Sequence, residues 1–279
     1  MIETVRTIPE LHTAIKSWRQ KGETVGLVPT MGALHDGHLS LIRHARAKTM
    51  RTCVTLFVNP KQFGAGEDLD TYPRDLDDDL AKMAAEGADL LFLPAAAEIY
   101  PDGFATSVHV GGIGDILEGA HRPGFFTGVA TVVSKLLVQA LPDLAVFGEK
   151  DYQQLLVIRR LAKDLDIPVR IEGVPIVRED DGLALSSRNA YLSAAERAIA
   201  PVLYGIISQV AENVGRGTEI AEQAAWGREQ LLRAGFNSVD YLSVLDAKTL
   251  DDAVGVSKPA RVLVAATLGA TRLIDNVLV

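Results

Sequence analysis

The chain has 279 residues, of which 48% are hydrophobic and 23% charged, with a formal net charge of −8. That length suits one large α/β domain, or a large and a smaller one, with a core that needs no staples. The acidic balance excludes a general affinity for nucleic acid, which requires clustered Lys and Arg, and no window is apolar enough for a bilayer span.

One cysteine, Cys53, cannot form an intrachain disulfide, and in "TCVTLFV" it reads as a buried strand residue. The N-terminal residues include acidic groups and lack the apolar stretch of a secretory signal. The expectation is a soluble, cytoplasmic protein with no membrane partner.

In chain order, "IPELHTAIKSWRQKG" predicts a helix ended by Gly22. Strands follow at residues 24–29, 52–59, 89–94, 143–148 and 168–177. Between them, residues 39–48, 76–87, 129–140 and 152–165 carry apolar side chains at helical spacing. Apolar strands alternating with helices imply βαβ units and a Rossmann-like, mostly parallel sheet. The texture changes near residue 176. Two helices, 194–214 and 220–234, precede strands at 239–247, 260–269 and 271–279, which predicts an antiparallel sheet. The expected fold class is therefore α/β, with a larger domain over residues 1–176 and a smaller α+β domain over 177–279.

The strongest local signal is "PTMGALHDGH", residues 29–38, between the first apolar strand and its helix. Gly32 and Gly37 permit close backbone approach to a ligand. The helix mouth offers unpaired N–H groups and a partial positive charge, suited to phosphate. His35 and His38 lie three residues apart there, so both can address one anion. A zinc site would need further Cys or His ligands, which are not nearby. The G-x-G-x-x-G spacing of dinucleotide sites is absent from the turn, and "GGIGDILEG" is a poor match better read as a loop. The turn taken alone is equally compatible with a structural role and incidental histidines.

Other polar clusters also leave apolar strands. "FVNPKQFGAGEDLDTYPRD" carries Asn59, Gln62 and Tyr72 in a Gly-rich loop, and "VFGEKDYQQL" carries Lys150, Asp151 and Gln154 at a helix start. "LALSSRN" brings Ser186, Ser187 and Arg188 together, which is either a phosphate clamp or an N-cap beside a surface arginine. Jointly these clusters fall where strand ends converge on the open edge of a parallel sheet.

These motifs, in this order, resemble the pantothenate synthetase family over nearly the whole chain: "PTMGALHDGHLSLI", "FVNPKQFGAGEDLDTYPR", "FGEKDYQQL" and "LSSRN", with "DYLSVLD" and "RLIDN" near the C-terminus. "HDGH" alone implies only the wider superfamily of adenylyl-transferring enzymes. The resemblance implies an ATP-dependent ligase that joins pantoate to β-alanine through a pantoyl-adenylate, releasing AMP and pyrophosphate, with Mg2+ accompanying ATP. It implies that Met31, Gly32, Ala33, Leu34, His35, Asp36, Gly37 and His38 line the ATP site, with His38, His35 and Lys150 catalytic. Gly148, Glu149, Lys150, Asp151, the Val177 backbone, Leu185, Ser186, Ser187 and Arg188 are implied as further ATP contacts. Gln62 and Gln154 would hold pantoate, and Gln62 would also lie by β-alanine. A homodimer through the larger domain is implied as well. The family usually has Met where Leu185 stands, and often His where this chain has Phe125.

The implied chemistry suits the residues. Negative charge grows on phosphoryl oxygens during attack on the α-phosphorus, and prealigned donors answer it. An acyl-adenylate is prone to hydrolysis, which makes residues 64–73 a candidate lid. Two other readings are a nucleotidyltransferase that stops at AMP transfer, and a nucleotide sensor without turnover. The intact donor set argues against the sensor.

Overall fold

Six strands within residues 3–174 form one sheet in which every ladder is parallel. A computed structural model describes residues 2–64, 66–69, 71–253 and 259–279. By internal contacts the chain divides into one unit of Met1–Glu149 with Gln154–Pro175, and another of Lys150–Gln153 with Ile176–Val279.

The strands of the first unit are β1 (Glu3–Val5), β2 (Val25–Thr30), β3 (Arg51–Leu56), β4 (Leu90–Phe92), β5 (Leu144–Gly148) and β6 (Arg170–Val174). They lie in the order β1-β4-β3-β2-β5-β6. Consecutive residues of β3 and β4 are buried, as a sheet covered on both faces requires. Its helices are α1 (Ile8–Gln20), α2 (Asp36–Lys48), α3 (Leu76–Ala85), α4 (Ala96–Ile99), α5 (Glu118–His121), α6 (Phe125–Ala140) and α7 (Tyr152–Asp164), the first two residues of α7 grouping with the second unit. Val28, Ile42, Val54, Met83, Leu91, Leu144 and Val146 share one core cluster, so strands and helices close over the same apolar volume. Cys53 is buried in β3, where desolvation pushes its thiol up to about 12 and leaves it inert.

The second unit holds α8 (Ala194–Ile199), α9 (Val202–Gly215), α10 (Ile220–Ala234), β7 (Ser238–Asp246), β8 (Ala260–Leu268) and β9 (Thr271–Leu278). The three strands pair antiparallel in chain order, as their crowding predicts. Ile207, Val210 and Leu231 pack with Val262 and Val264 between helices and sheet. The single helix expected over 194–214 is two helices, because Pro201 lacks the N–H that would continue the ladder. No described helix is long and apolar enough to cross a membrane.

One surface network in the first unit has a testable pH signature. Glu172 on β6 accepts from Lys48 Nζ and pairs with His44 Nε2, both at 2.6 Å, while Arg170 Nε lies 2.7 Å away. The Lys48 bond first, then His44, holds the Glu172 carboxyl down at about 2. A depressed folded value means stability present above the ordinary 4.5 and lost as pH falls through about 2. Glu172→Gln should therefore flatten the fall in melting temperature across that window. An unchanged acid limb would show that the network contributes nothing to acid stability.

Candidate active site

The turn after β2 is shaped from behind by a buried carboxylate. Asp79, on α3 and 1% exposed, accepts from Ala33 N at 2.9 Å and from Leu34 N at 2.7 Å. Burial raises its pKa, and the two N–H bonds from Leu34 and Ala33 oppose that rise. Lys82 donates to Leu34 O at 2.7 Å, fastening the same turn through a carbonyl. Gly32 has φ 92°, and a Cβ there would meet Asp79 Oδ2 at 3.1 Å and Leu56 Cδ2 at 3.3 Å. Ala33 follows at φ 51°, a left-handed conformation costly for a residue with a Cβ. The Asp79 bonds hold it there.

His35 then caps α2, so the helix starts at Asp36 rather than at 39. Its Nδ1 accepts from Gly37 N at 3.2 Å, and His38 Nδ1 accepts from His35 N at 3.4 Å. This is a capping box in which imidazoles replace the usual hydroxyl and carboxylate. An accepting Nδ1 assigns the ring proton of each neutral imidazole to Nε2. The two rings are 4.1 Å apart between centroids. The helix mouth thus carries two neighbouring N–H donors where the backbone dipole favours an anion.

Gln62 is joined to this turn. Its Nε2 lies 2.9 Å from Met31 Sδ, and its Oε1 accepts from Asn59 Nδ2 at 3.0 Å. Asn59 is buried and also accepts from Tyr100 OH at 2.7 Å and donates to Gly128 O at 3.1 Å. Gly128 on α6 allows this approach, since a Cβ there would sit 2.1 Å from Lys61 O. Arg122 donates to Gln62 O at 3.3 Å and pairs with Glu67 at 2.5 Å. Phe125 lies beneath the Arg122 guanidinium at 3.8 Å, so the residue standing where the family often has His supports this arginine by stacking. Residues 65 and 70 of the lid candidate lie outside the described residues.

Two helices begin at the carboxyl ends of adjacent strands: α2 after β2, and α7 after β5. Successive strands run outward from β2 through β3 and β4 on one side, and through β5 and β6 on the other. The reversal between β2 and β5 is the position where open parallel sheets bind ligands. Gly148 ends β5 there, Glu149 starts the 3-10 turn that follows, and Gln154 lies half-buried in the first turn of α7.

In the second unit, Lys150 Nζ is 3.9 Å from Asp151 Oδ2. Val177 O accepts from Leu185 N at 3.0 Å, bringing two of the expected ATP contacts together by backbone pairing. Ser186 accepts from Arg188 N at 3.3 Å and caps the 3-10 turn Ser187–Tyr191, so the N-cap reading holds for this serine. Asn189 Nδ2 donates to Ala184 O at 3.0 Å, tying the turn to the residue that bridges to Arg178.

Sequence reasoning missed Asp79, which sits in "LDDDLAKM" among acidic residues suited to any helix start. Its spacing from Met83 was the available signal: both are buried, four residues apart on one face of α3. Among the described residues, no group of three or more His, Cys, Asp or Glu side chains could hold a metal ion.

A parallel sheet with a switch point, and an imidazole-lined helix mouth beside it, defines a Rossmann-like nucleotide-dependent enzyme. Residues 3–278 match the Pantoate-beta-alanine ligase family. A pantothenate synthetase of Paramagnetospirillum magneticum is 54% identical over 276 residues, covering 99% of this chain and 97% of that protein. The crystal structure of pantothenate synthetase from Thermus thermophilus matches with a TM-score of 0.93 at 49% identity, over 99% of each chain. A pantoate-beta-alanine ligase from Francisella tularensis, complexed with beta-gamma ATP and beta-alanine, matches with a TM-score of 0.85 at 35% identity, over 100% of this chain and 98% of that one. The chain belongs to the pantoate–β-alanine ligase family. It is an AMP-forming ligase that condenses pantoate with β-alanine using ATP, through an adenylate intermediate.

Proposed function

We propose that the two imidazoles at the start of α2 are the donors that stabilise adenylate formation. The observation that carries this reading is the reciprocal capping of His35 and His38, which commits both Nδ1 atoms to backbone N–H groups and turns each ring into an Nε2 donor. In the first step a pantoate carboxylate oxygen bonds to the α-phosphorus, and the bond from that phosphorus to the bridging oxygen of pyrophosphate breaks. His38 is the principal donor to the charge that grows on the phosphoryl oxygens, and His35 assists it. Met31 to His38 line the nucleotide, with Asp79 keeping their turn in shape.

Gly148, Glu149, Lys150, Asp151, the Val177 backbone and the Leu185-Ser186-Ser187-Arg188 run contact ATP. Lys150 answers phosphate charge, and the serines and arginine grip the outer phosphates. Magnesium enters as part of the Mg–ATP co-substrate, held by the phosphates themselves. Gln62 and Gln154 hold pantoate, because neutral amides both donate to and accept from its hydroxyls. Gln62 also lies beside β-alanine, whose neutral amine attacks the acyl carbon in the second step, losing a proton as AMP leaves. Residues 66–69 and 71–73 exclude water from the adenylate. The enzyme works in the cytoplasm as a homodimer built through the larger unit.

The exchange of labelled pyrophosphate into ATP tests this assignment. Exchange should require pantoate and proceed without β-alanine. Gln154→Ala should weaken pantoate binding about tenfold, the loss of one buried hydrogen-bond partner, while ATP binding stays near normal. Unchanged pantoate affinity would remove Gln154 from the pocket.

A further inference from the structure

The C-terminal "RLIDN" segment lies on β9, and none of the roles above uses it. Asp275 and Asn276, adjacent along the strand, are both buried, breaking the alternation expected of a strand with one face on a core. Asp275 takes a two-pronged ion pair from Arg178, with N–O distances of 2.7 and 2.9 Å. Arg178 in turn stacks 3.8 Å over Tyr204 and donates to Gly182 O at 3.0 Å. Asp275 Oδ1 also accepts from Asn276 N at 2.7 Å, which fixes the backbone where the next side chain starts.

That next side chain has both ends engaged. Asn276 Oδ1 accepts from Arg261, and Asn276 Nδ2 donates to Lys150 O at 3.0 Å. Because a guanidinium only donates, the Arg261 contact settles which end of the amide is oxygen. Arg261 stacks 3.8 Å over Tyr152, whose hydroxyl donates to Ala247 O at 2.7 Å. The turn Lys150–Gln153 is therefore held within the second unit at two points, Lys150 and Tyr152. The same network reaches Arg178, the residue after Val177. A buried ionic and amide network is a costly way to gain stability compared with apolar packing, and its value lies in fixing geometry.

We infer that Asn276 is a positioning residue for adenylate formation: its amide fixes the Lys150 backbone, with the Arg178–Asp275 pair holding Asn276 in register. This rests on the reading that Lys150 meets the phosphates of ATP. A lysine whose backbone origin shifts loses alignment with a developing charge, and displacements near 1 Å cost up to about a hundredfold in rate.

The test uses the full chain and pantoate-dependent ATP–pyrophosphate exchange. Asn276→Asp keeps an oxygen for Arg261, replaces the donor to Lys150 O with a second oxygen, and adds a charge. Exchange should slow by about tenfold to a hundredfold, with a raised KM for ATP and pantoate affinity unchanged. The Asn276→Asp, Lys150→Ala double variant should be no slower than Lys150→Ala alone, because both changes remove one function. If the aspartate variant does not fold, Asn276→Ala removes the donor without adding charge, losing the Arg261 contact as well. Wild-type exchange in a folded Asn276 variant, or losses that multiply with Lys150→Ala, overturns the inference. If Lys150→Ala itself exchanges normally, the phosphate role of Lys150 fails and the inference falls with it. A crippled Lys150→Ala beside a normal Asn276 variant sinks the positioning role alone.

Discussion

Replacing His38 with alanine is expected to slow adenylate formation by about a thousandfold while leaving ATP affinity within about threefold. The imidazole is the third residue of α2, its Nδ1 committed to His35 N, so its Nε2–H is a donor at a helix mouth already favourable to anions. The contact strengthens as negative charge accumulates on the phosphoryl oxygens, which makes the loss one of turnover. Alanine is a good helix residue, and the capping bond lost is long at 3.4 Å, so the fold should survive. Pre-steady-state measurement of pantoyl-adenylate separates the two effects. A variant that forms adenylate at near-normal rate would exclude His38 from the chemistry.

The second large effect is expected at a residue that touches no substrate. Asp79→Ala should lower stability by about 3 kcal/mol, because two backbone N–H groups lose a charged acceptor in a buried setting. The rate should fall as well, since Ala33 is held in a left-handed conformation next to the catalytic turn. Asn at this position should rescue poorly. It can offer an oxygen to one N–H, but its amide nitrogen then opposes the other, donor against donor. Thermal unfolding and the exchange rate, followed together in both variants, check this. If Asp79→Asn matches the parent in both, the paired acceptance by Asp79 is not what shapes the turn.

The contrast between these residues explains what the sequence makes legible. His38 announces itself, because a surface turn has little use for two histidines and two glycines. Asp79 does not, because acidic residues are normal in the first turn of any helix. Strands β2 to β5 can be read because burial on both faces demands apolar runs. β1, only three residues of which two are exposed, carries no such pattern and goes unpredicted. The start of α2 lies three residues ahead of its predicted place, because imidazoles occupy the positions where Ser, Thr, Asp or Glu usually mark a cap. Asn276 escapes for a further reason. Its partner is 126 positions away in sequence, and pairing over that distance leaves no local trace.

The division of the chain has a consequence for any attempt to split it. The polypeptide passes from one unit to the other after Glu149, returns after Gln153, and passes again after Pro175. A gene cut at the last crossing would not yield two self-sufficient halves. The N-terminal fragment would carry the lysine turn without Asn276, Ala247 or Arg261, and the C-terminal fragment would present those groups with nothing to hold. Fragment complementation, circular permutation and domain exchange with a relative must therefore treat this four-residue detour as cargo of the C-terminal body.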